Sequence, residues 1–417
     1  MTNISSIHSC YGCGVCAMAC AKNIIEIGQN ADGFYEPHIT DSDKCTNCGL
    51  CLKVCAYSHD KPALQTDTAP TAFAAWSNNA AVRRRCSSGG VGYEVGRTII
   101  AEGGAVCGVR YDAVANLAEH YMADTEEALI PSIGSKYIQS YTVDGFLDLK
   151  RRISEDKKAS TMRRYLVTGS PCQIDSVRRW AQLTKNEGRL LLLDFFCHGV
   201  PSKLMWDKYV ASVEKKVGKL TYVSWRNKRT GWHDSWAMAI DGEDAAGEEV
   251  NWHDSYNLLT REKKTFLYSR LSQGDMFYRL FLGDQCLGKA CYEHCKYKYD
   301  HSSADIRIGD AWGKTYAHDE KGVSAAIAFT PVGEELLRQC DCQLIEHPFD
   351  VVAEGQMKTM PVRNKLYEII SPLLKDKNIE LNDIENAINT YRRRERMIDR
   401  MKHPMRTILN LIKRVLK

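Results

Sequence analysis

Two short runs near the N-terminus decide the fold there, CYGCGVCAMAC at Cys10–Cys20 and CTNCGLCLKVC at Cys45–Cys55. Both space their cysteines as C-x2-C-x2-C-x3-C, so the second run repeats the first. Three thiolates from one tight loop can converge on three corners of an iron–sulfur cube, while the fourth must arrive from elsewhere. Glycines between the ligands let the backbone wrap closely around such a group. The spacing therefore predicts two loops that each hold a metal cluster.

The doubled run is typical of a bacterial-type ferredoxin with two [4Fe-4S] clusters, in which the fourth cysteine of each run ligates the other cluster. The predicted ligands are, for the first cluster, Cys10, Cys13, Cys16 and Cys55 and, for the second, Cys45, Cys48, Cys51 and Cys20. One departure is that Ala21 and Ala56 replace the proline that usually follows the fourth cysteine. Zinc is the main alternative, but its four-cysteine sites normally use two well-separated C-x2-C pairs.

Length and composition are those of an ordinary globular protein with more than one domain. The 417 residues are 44% hydrophobic and 26% charged, which is enough for two or three separate cores. No run of 18 apolar residues occurs, so the sequence predicts no membrane span. The 17 cysteines follow a start, MTNISSIH, that lacks the segments of a signal peptide. Together these features predict a reducing cytoplasm in which thiolates bind metals instead of forming disulfides.

The net charge of +4 is unevenly distributed along the chain. The segment Arg392–Lys417 contains ten Lys or Arg and two Asp or Glu, a local charge of +8. Apolar residues recur at helical spacing from Met405 to Leu416, with basic residues around them. This pattern is typical of a basic helix that lies on a membrane surface, and a terminal helix packed on its own domain is the alternative. Because the basic surplus belongs to one tail, the composition does not support nucleic-acid binding by the whole protein.

Between the two ends, strands alternate with helices. Tyr165–Thr168 and Arg189–Phe196 are apolar strands, and the second has the composition of a fully buried strand in a parallel sheet. Each is followed by a cysteine, Cys172 or Cys197, and then by an amphipathic helix. Ligands of open α/β sheets bind beyond the carboxyl ends of the strands. If the two strands are neighbours, these two thiols approach each other at one rim of the sheet.

Two further loops suit ligands. The loop RRRCSSGG at residues 83–90 precedes a predicted helix, where free amides favour a phosphate; a capped helix start with solvated arginines is the alternative. The segment WRNKRTGW at residues 225–232 joins cations to aromatic rings and suits an anionic, planar ligand; an exposed hairpin is the alternative.

A third cysteine group, Cys286 and the pair Cys291-x3-Cys295, cannot hold a cluster by itself. With Cys172 and Cys197, however, the pair makes four thiols.

Six stretches together resemble the beta-subunit family of coenzyme F420 (8-hydroxy-5-deazaflavin) hydrogenases and dehydrogenases. In chain order they are SSGG at Ser87–Gly90, GSKYIQS at Gly134–Ser140, TGSPCQI at Thr168–Ile174, DFFCHGVPS at Asp194–Ser202, an RNKxxGW-like segment at Arg226–Trp232 and DIRIGDAWG at Asp305–Gly313. The resemblance implies an FAD-binding α/β domain with a cubane cluster beside the flavin, preceded here by a ferredoxin module.

By this resemblance, the implied FAD contacts are Ser87, Ser88, Gly89, Gly90, Lys136, Gly169, Ser170 and Pro171. The implied ligands of a third [4Fe-4S] cluster are Cys172, Cys197, Cys291 and Cys295. The last pair of the family is usually C-x2-C, so the extra residue here leaves Cys286 and His294 open as alternative ligands. His198, next to Cys197, is the candidate proton donor.

The expected fold is an α+β ferredoxin module, an α/β flavin-binding domain with a mainly parallel sheet, and a helical C-terminal tail. The expected domains are residues 1–62, 63–345 and 346–417. The expected function is that of an iron–sulfur flavoprotein oxidoreductase that links ferredoxin-type clusters, through FAD, to an organic two-electron substrate. That substrate is expected to be coenzyme F420 or a related conjugated compound. The alternatives are a reductase of a sugar- or isoprenoid-linked intermediate in polysaccharide biosynthesis and a non-catalytic electron-wiring subunit.

The expected partners are a one-electron carrier, either ferredoxin-like or membrane-bound, and a small-molecule substrate. The basic tail is expected to touch a membrane surface reversibly. The expected location is therefore the cytoplasm, with peripheral contact on the inner membrane face.

Overall fold

The computed structural model of the protein describes residues 3–65, 68–244 and 267–403. The strands in these residues are β1 (Ile25–Gln29), β2 (Tyr35–Ile39), β3 (Thr71–Ser77), β4 (Ala105–Asp112), β5 (Leu117–Ala123), β6 (Ser140–Tyr141), β7 (Tyr165–Thr168), β8 (Leu190–Phe195), β9 (Leu220–Ser224), β10 (Ala237–Gly242), β11 (Leu267–Arg270), β12 (Ile306–Asp310), β13 (Ser324–Ala328) and β14 (Cys342–Glu346). The α-helices are α1 (Val15–Ala19), α2 (Leu50–Lys53), α3 (Ala80–Arg85), α4 (Val91–Ala101), α5 (Glu126–Leu129), α6 (Val143–Lys158), α7 (Pro171–Thr184), α8 (Lys203–Val217), α9 (Met276–Phe281), α10 (Lys289–Glu293), α11 (Pro331–Gln339), α12 (Phe349–Val352), α13 (Lys365–Lys375) and α14 (Leu381–Lys402).

The N-terminal module folds as an internal repeat around a hairpin. Strands β1 and β2 pair antiparallel, and one cysteine run lies on each side of them in the chain. Helices α1 and α2 begin inside the two runs, each directly after a glycine in the left-handed conformation, with φ of +70° at Gly14 and +71° at Gly49. Any other residue would be strained at these two turns. The repeated sequence therefore produces a repeated loop.

The second part of the chain is built on a nine-stranded sheet in the order β14-β3-β13-β12-β8-β7-β4-β5-β6. Its centre, β12-β8-β7-β4, is parallel. Tyr165 and Val167 of β7 point into one buried cluster and Leu166 into another, so both faces of the centre are covered. Continuous apolar strands are what such a doubly covered sheet requires.

The expectation of a mainly parallel sheet is wrong, because the sheet is mixed. Four of its eight strand pairings are antiparallel, namely β4–β5, β12–β13, β3–β13 and β3–β14. The connection between β4 and β5, residues 113–116, is too short for the crossover that a parallel pair needs, so these strands form a hairpin. The strand–loop–helix units that the sequence indicated belong to the parallel centre alone.

A second sheet and the C-terminal helices complete the protein. The antiparallel sheet β11-β10-β9 packs with α8 and α9 around the buried Trp206 and Trp225. Helices α13 and α14 contribute Ile370 and Ile384 to the same core, which confirms the helical C-terminal region. The predicted apolar stripe, Met405–Leu416, lies outside the described residues. Within residues 3–65, 68–244 and 267–403, no helix is long and apolar enough to cross a membrane.

The N-terminal module packs directly against the large sheet domain. Met18 of α1 is fully buried in one cluster with Val177 of α7. The Lys150 ammonium donates to the carbonyl of Met18 at 2.7 Å, and the Thr142 hydroxyl donates to that of Cys13 at 3.0 Å. These contacts fix the cysteine loops relative to the sheet, while the domain limits at residues 62 and 345 stay predictions.

Candidate functional site

In the first cysteine set, Cys13, Cys16 and Cys55 are buried inside the N-terminal module and Cys10 is half-buried. Burial raises the pKa of Cys13 to about 11, and the nearby Cys55 thiolate adds to the rise. Burial also raises the pKa values of Cys10 and Cys16, and other thiols of the same set again add to the rise. Thiols this close and this dry ionise only where a positive centre balances their charge. The residues present therefore fit an iron–sulfur cluster.

The second cysteine set, Cys20, Cys45, Cys48 and Cys51, lies nearer the surface. Cys48 is exposed, Cys20 and Cys45 are half-buried, and Cys51 is buried. Burial raises the pKa of Cys51, and the Cys48 thiolate adds to this rise. The Asn3 side-chain amide lies 3.6 Å from Cys45 Sγ. Of the two sets in the module, this is the more exposed one, because Cys48 is open to an external molecule.

The third cysteine set, Cys172, Cys197, Cys291 and Cys295, is gathered at the carboxyl edge of the large sheet. Strands β7 and β8 are parallel neighbours, so Cys172 and Cys197 start from the same rim, as the sequence predicted. Burial raises the pKa of Cys172, and the thiolates of Cys197 and Cys291 add to the rise. Burial and then Cys197 raise the pKa of Cys291, with Cys295 as a further neighbour. Four thiols from three separate segments thus face one place.

Neither alternative ligand joins this set. Cys286 is 2% exposed in the hydrophobic core around α8 and α9, and burial, with a smaller effect of Asp284, raises its pKa. His294 is exposed, and its ring packs edge-on against Tyr57 with centroids 4.8 Å apart. The geometry favours the C-x3-C pair itself over both alternatives.

The spacing of the thiols bears on the choice between iron–sulfur clusters and zinc. Among the described residues, no three His, Cys, Asp or Glu side chains converge closely enough to hold a single metal ion. Each thiolate of a cubane binds a different iron atom, so the sulfurs stand farther apart than around one zinc ion. The lack of a single-ion site among the described residues is compatible with cubane ligation by the cysteine sets.

A cavity of about 650 Å³, the rim cavity, opens beside the third cysteine set. Its size lies within the range of about 300 to 1,000 Å³ that is usual for cofactor sites. Among its lining residues are Cys197, His198 and six of the predicted flavin contacts, namely Ser87, Ser88, Gly90, Lys136, Gly169 and Ser170. Gly89 and Pro171 lie behind the wall. A Cβ at Gly89 would meet the carbonyl of Ala75 at 2.3 Å, and Pro171 is buried in the first turn of α7.

Lys136 lines one end of the rim cavity, and a second amine, Lys228, lines a small separate pocket next to it. Lys136 donates to three carbonyls of the turn at residues 131–134, at 2.9 to 3.2 Å, and burial lowers its pKa to about 7. Lys228 donates to the carbonyl of Ser88 at 2.7 Å, and burial lowers its pKa to about 8. The start of α4 lies at the same end, where backbone amides lack helical partners. This end suits a phosphate or diphosphate.

The loop at residues 83–90 offered Arg83, Arg84 and Arg85 as further positive charge for a phosphate at this end. Arg83 instead pairs with Asp319 at 2.8 Å. Lys228, which the sequence offered only as part of the WRNKRTGW segment, lines a small pocket next to this end together with Lys136, Arg84 and Arg85. Its place in the RNKxxGW-like stretch, between an arginine and a glycine, was the available signal.

The RNKxxGW-like stretch is largely buried, so it is not an exposed hairpin, and it contributes Arg226 to the wall of the rim cavity. Arg226 is 2% exposed and pairs with Asp310 at 2.7 Å. Its guanidinium lies 4.4 Å from the ring of Trp236 and 4.8 Å from that of Trp312. The Trp232 indole N–H donates to Asp310 at 2.8 Å and so holds the carboxylate in place. A fixed cation between flat rings suits a planar, electron-rich ligand.

His198 is held in one orientation at the wall. Its Nε2 lies 2.8 Å from Asp284 Oδ1, and its ring packs against Phe281 with centroids 4.9 Å apart. The Lys298 ammonium donates to the backbone carbonyl of His198 at 2.9 Å. A carboxylate that orients an imidazole beside a cavity is the usual support of a proton donor.

A buried ion pair fixes the strand end from which Cys197 starts. Arg307 of β12 donates to both carboxylate oxygens of Asp194 in β8, at 2.7 Å each, and both side chains are 0% exposed. The Ser302 hydroxyl also donates to Asp194, at 2.7 Å. Because Asp194 is three residues before Cys197, the pair positions that thiol. Sequence analysis included both residues in its motifs but did not pair them.

Residues 162–347 match a family model that describes the C terminus of the coenzyme F420 hydrogenase/dehydrogenase beta subunit. The chain carries the C-terminal domain of this beta-subunit family. Residues 9–58 match the model of the 4Fe-4S dicluster domain. Both resemblances drawn from the sequence are thereby confirmed, and the protein is an iron–sulfur oxidoreductase of the F420 hydrogenase beta-subunit type.

Among solved structures, one similar chain belongs to the F420-reducing [NiFe] hydrogenase complex from Methanosarcina barkeri, with 17% sequence identity and a TM-score of 0.40. The alignment covers 78% of this chain and 92% of that chain. No curated protein matches the chain.

Proposed function

We propose that the protein passes electrons between ferredoxin-type [4Fe-4S] clusters and an organic two-electron substrate through bound FAD. The main support is the junction of the rim cavity with the third cysteine set, since Cys197 belongs to both. A flavin exchanges one electron with a cluster and two with an organic molecule, so it can couple the two kinds of carrier.

The residues of the rim cavity fit the two chemically different ends of FAD. Lys136 and the amides at the start of α4 would hold the diphosphate, with Lys228 adding positive charge from the neighbouring pocket, because an amine and a helix start both favour an anion. Arg226 would border the flat ring system together with Trp236 and Trp312. The loop at residues 87–90 would close over the middle of the cofactor.

The third cysteine set would hold a third [4Fe-4S] cluster at this junction. Its thiols are buried, and the pKa of Cys172 is raised well above the ordinary thiol value, first by burial. Neutral thiols do not ligate iron, so this set needs the positive charge of a metal centre to ionise. His198 would supply a proton to the substrate as two electrons arrive, because Asp284 holds its ring at the cavity wall.

The proposed substrate is coenzyme F420 or a related conjugated compound, which the family match supports. Reduction of a sugar- or isoprenoid-linked intermediate, and electron wiring without catalysis, are the competing outcomes of the test below. We further propose that a one-electron carrier docks at the face of the module where Cys48 is exposed. Contact of the basic tail with the inner membrane face, and a cytoplasmic location, stay predictions from the sequence.

The test is anaerobic purification of the full chain, followed by iron and flavin assays and by turnover with reduced ferredoxin or dithionite as donor. About twelve iron atoms and one FAD per chain are expected, with reduction of added F420. Protein that contains iron but no flavin would refute the proposal that FAD is bound. Full cofactor content with turnover of a polyprenyl-linked sugar, and none of F420, would favour the alternative substrate. Full iron and flavin content without turnover of either substrate would favour the non-catalytic electron-wiring subunit.

A further inference from the structure

Helix α7 contacts two of the cysteine sets at once. Cys172, its second residue, belongs to the third set, and Ser176, one turn later on the same face, reaches the first set. Ser176 Oγ lies 3.2 Å from Cys13 Sγ. Ser170, which caps the helix, has its Oγ 3.2 Å from Cys172 Sγ. The first and the third cysteine sets therefore each have a serine hydroxyl within hydrogen-bond distance of one of their sulfurs.

The surroundings of Ser176 decide which way its hydroxyl points. Ser176 is 0% exposed, and its Oγ accepts the backbone N–H of Ala56 at 3.0 Å. Because the oxygen already accepts from this amide, its own proton is available for another acceptor, and a thiolate at Cys13 is within reach. Ala56 directly follows Cys55, a residue of the same set. A neutral Cys13 thiol donates to Ser176 Oγ. Once Cys13 is a thiolate ligand, the serine proton can turn to the sulfur, so that amide, hydroxyl and sulfur form a chain of hydrogen bonds that ends on the first set.

Ser170 is held by a separate contact. Its backbone N–H donates to Gln173 Oε1 at 2.8 Å, which fixes the turn that precedes Cys172. Ser170 Oγ, 3.2 Å from Cys172 Sγ, can donate its proton to that sulfur once the sulfur is a thiolate ligand. Both hydroxyls therefore stabilise negative charge on their sulfur.

We propose that Ser176 and Ser170 are positioning residues that set the reduction potentials of the two neighbouring clusters independently, through hydrogen bonds to Cys13 and Cys172. Reduction adds one electron to a cluster and makes its thiolates more negative. A hydroxyl that donates to such a sulfur stabilises the reduced form and raises the potential. The Ser170 half rests on the third cluster of the proposed function, whereas the Ser176 half needs only the dicluster domain.

The test is a redox titration of the anaerobically purified full chain, with the cluster signals followed by electron paramagnetic resonance. Ser176→Ala should shift one signal to lower potential, by about tenfold in the one-electron reduction equilibrium, or about 59 mV. Ser170→Ala should shift a different signal in the same direction. Ser176→Thr retains the hydroxyl and should give the potential of the unaltered protein. Ser154→Ala, at an exposed position on α6, is the matched control and should shift nothing.

Three outcomes would overturn the proposal. They are an unshifted titration in Ser176→Ala, an equal shift in Ser176→Thr, and movement of the same signal by both alanine variants. Absence of a third cluster signal, with the Ser176→Ala shift intact, would refute the Ser170 half together with the third cluster. It would leave the Ser176 half supported.

Discussion

The buried pair of Arg307 and Asp194 allows a quantitative prediction. Arg307→Met fills much of the same volume but leaves Asp194 at 0% exposure with the Ser302 hydroxyl as its remaining side-chain donor. It also removes the donors that satisfy the carbonyls of Tyr299 and His301, at 2.8 and 3.0 Å. Breaking one side of a buried pair costs about 3 to 5 kcal/mol of folding free energy. If the pair forms after the folding transition state, unfolding accelerates by at least about 100-fold, because 1.4 kcal/mol is tenfold.

The assay is the rate of unfolding of the anaerobic holoprotein in urea, followed by tryptophan fluorescence. A rate is suitable because iron–sulfur proteins rarely refold reversibly. Arg151→Met is the control, since Arg151 is 55% exposed and its pairs with Asp148 and Glu155 lie on a helix surface, where such pairs contribute about 0.3 to 0.5 kcal/mol. Equal unfolding rates for the two variants would refute the reasoning. The double variant with Asp194→Leu should recover part of the loss, because it leaves no unpaired charge.

Further predictions concern the cofactors, the proton donor and the tail. Lys136→Met should weaken FAD binding by roughly tenfold or more in a fluorescence titration, through loss of a charge-assisted contact. In the unaltered protein, FAD affinity should fall as the pH rises through the pKa values of Lys136 and Lys228, about 7 and about 8, because the amines lose their protons; a flat profile would contradict this. Cys172→Ala should lose about four of about twelve iron atoms, whereas Cys286→Ala, in the hydrophobic core, should lose none. His198→Gln should slow substrate reduction by about 100-fold in stopped-flow measurements, with cluster potentials unchanged; unaltered turnover would remove His198 from the reaction. The full chain should sediment with anionic vesicles and release at high salt, while a chain ending at Thr390 should stay in solution; equal behaviour would assign the tail a structural role.

The sequence predicted those features that depend on local spacing. The cysteine runs were sufficient because three of the four ligands of each cluster come from a single loop, whose glycines the structure shows in the left-handed conformation. The strands before Cys172 and Cys197 were predicted for the same reason, since a short apolar run between turn residues is a local signal. Their parallel pairing then brought the two thiols to one rim.

The sequence did not predict features that depend on distant partners. The antiparallel pairings of β3 with β13 and β14 join segments about 250 to 270 residues apart, and an alternating pattern in a short strand does not indicate which strand pairs with it. Lys228 reaches Ser88 across 140 residues, and Arg307 reaches Asp194 across 113. Such contacts follow from tertiary packing, so one sequence alone contains no direct signal of them.

The departure at Ala56 acquires a physical explanation from the structure. Proline, the usual residue after the fourth cysteine of a run, has no N–H and could not donate to Ser176. The backbone here would accept a proline, because Cys55 is extended, with φ of −77° and ψ of 108°, and Ala56 begins a helical turn. The local fold therefore does not explain why residue 56 keeps a backbone N–H, since a rigid proline would stabilise this turn. Its visible role is the hydrogen bond to Ser176, a residue of the large sheet domain. An isolated ferredoxin has no such serine to orient, so the alanine suits a module whose first cluster is packed against a second domain.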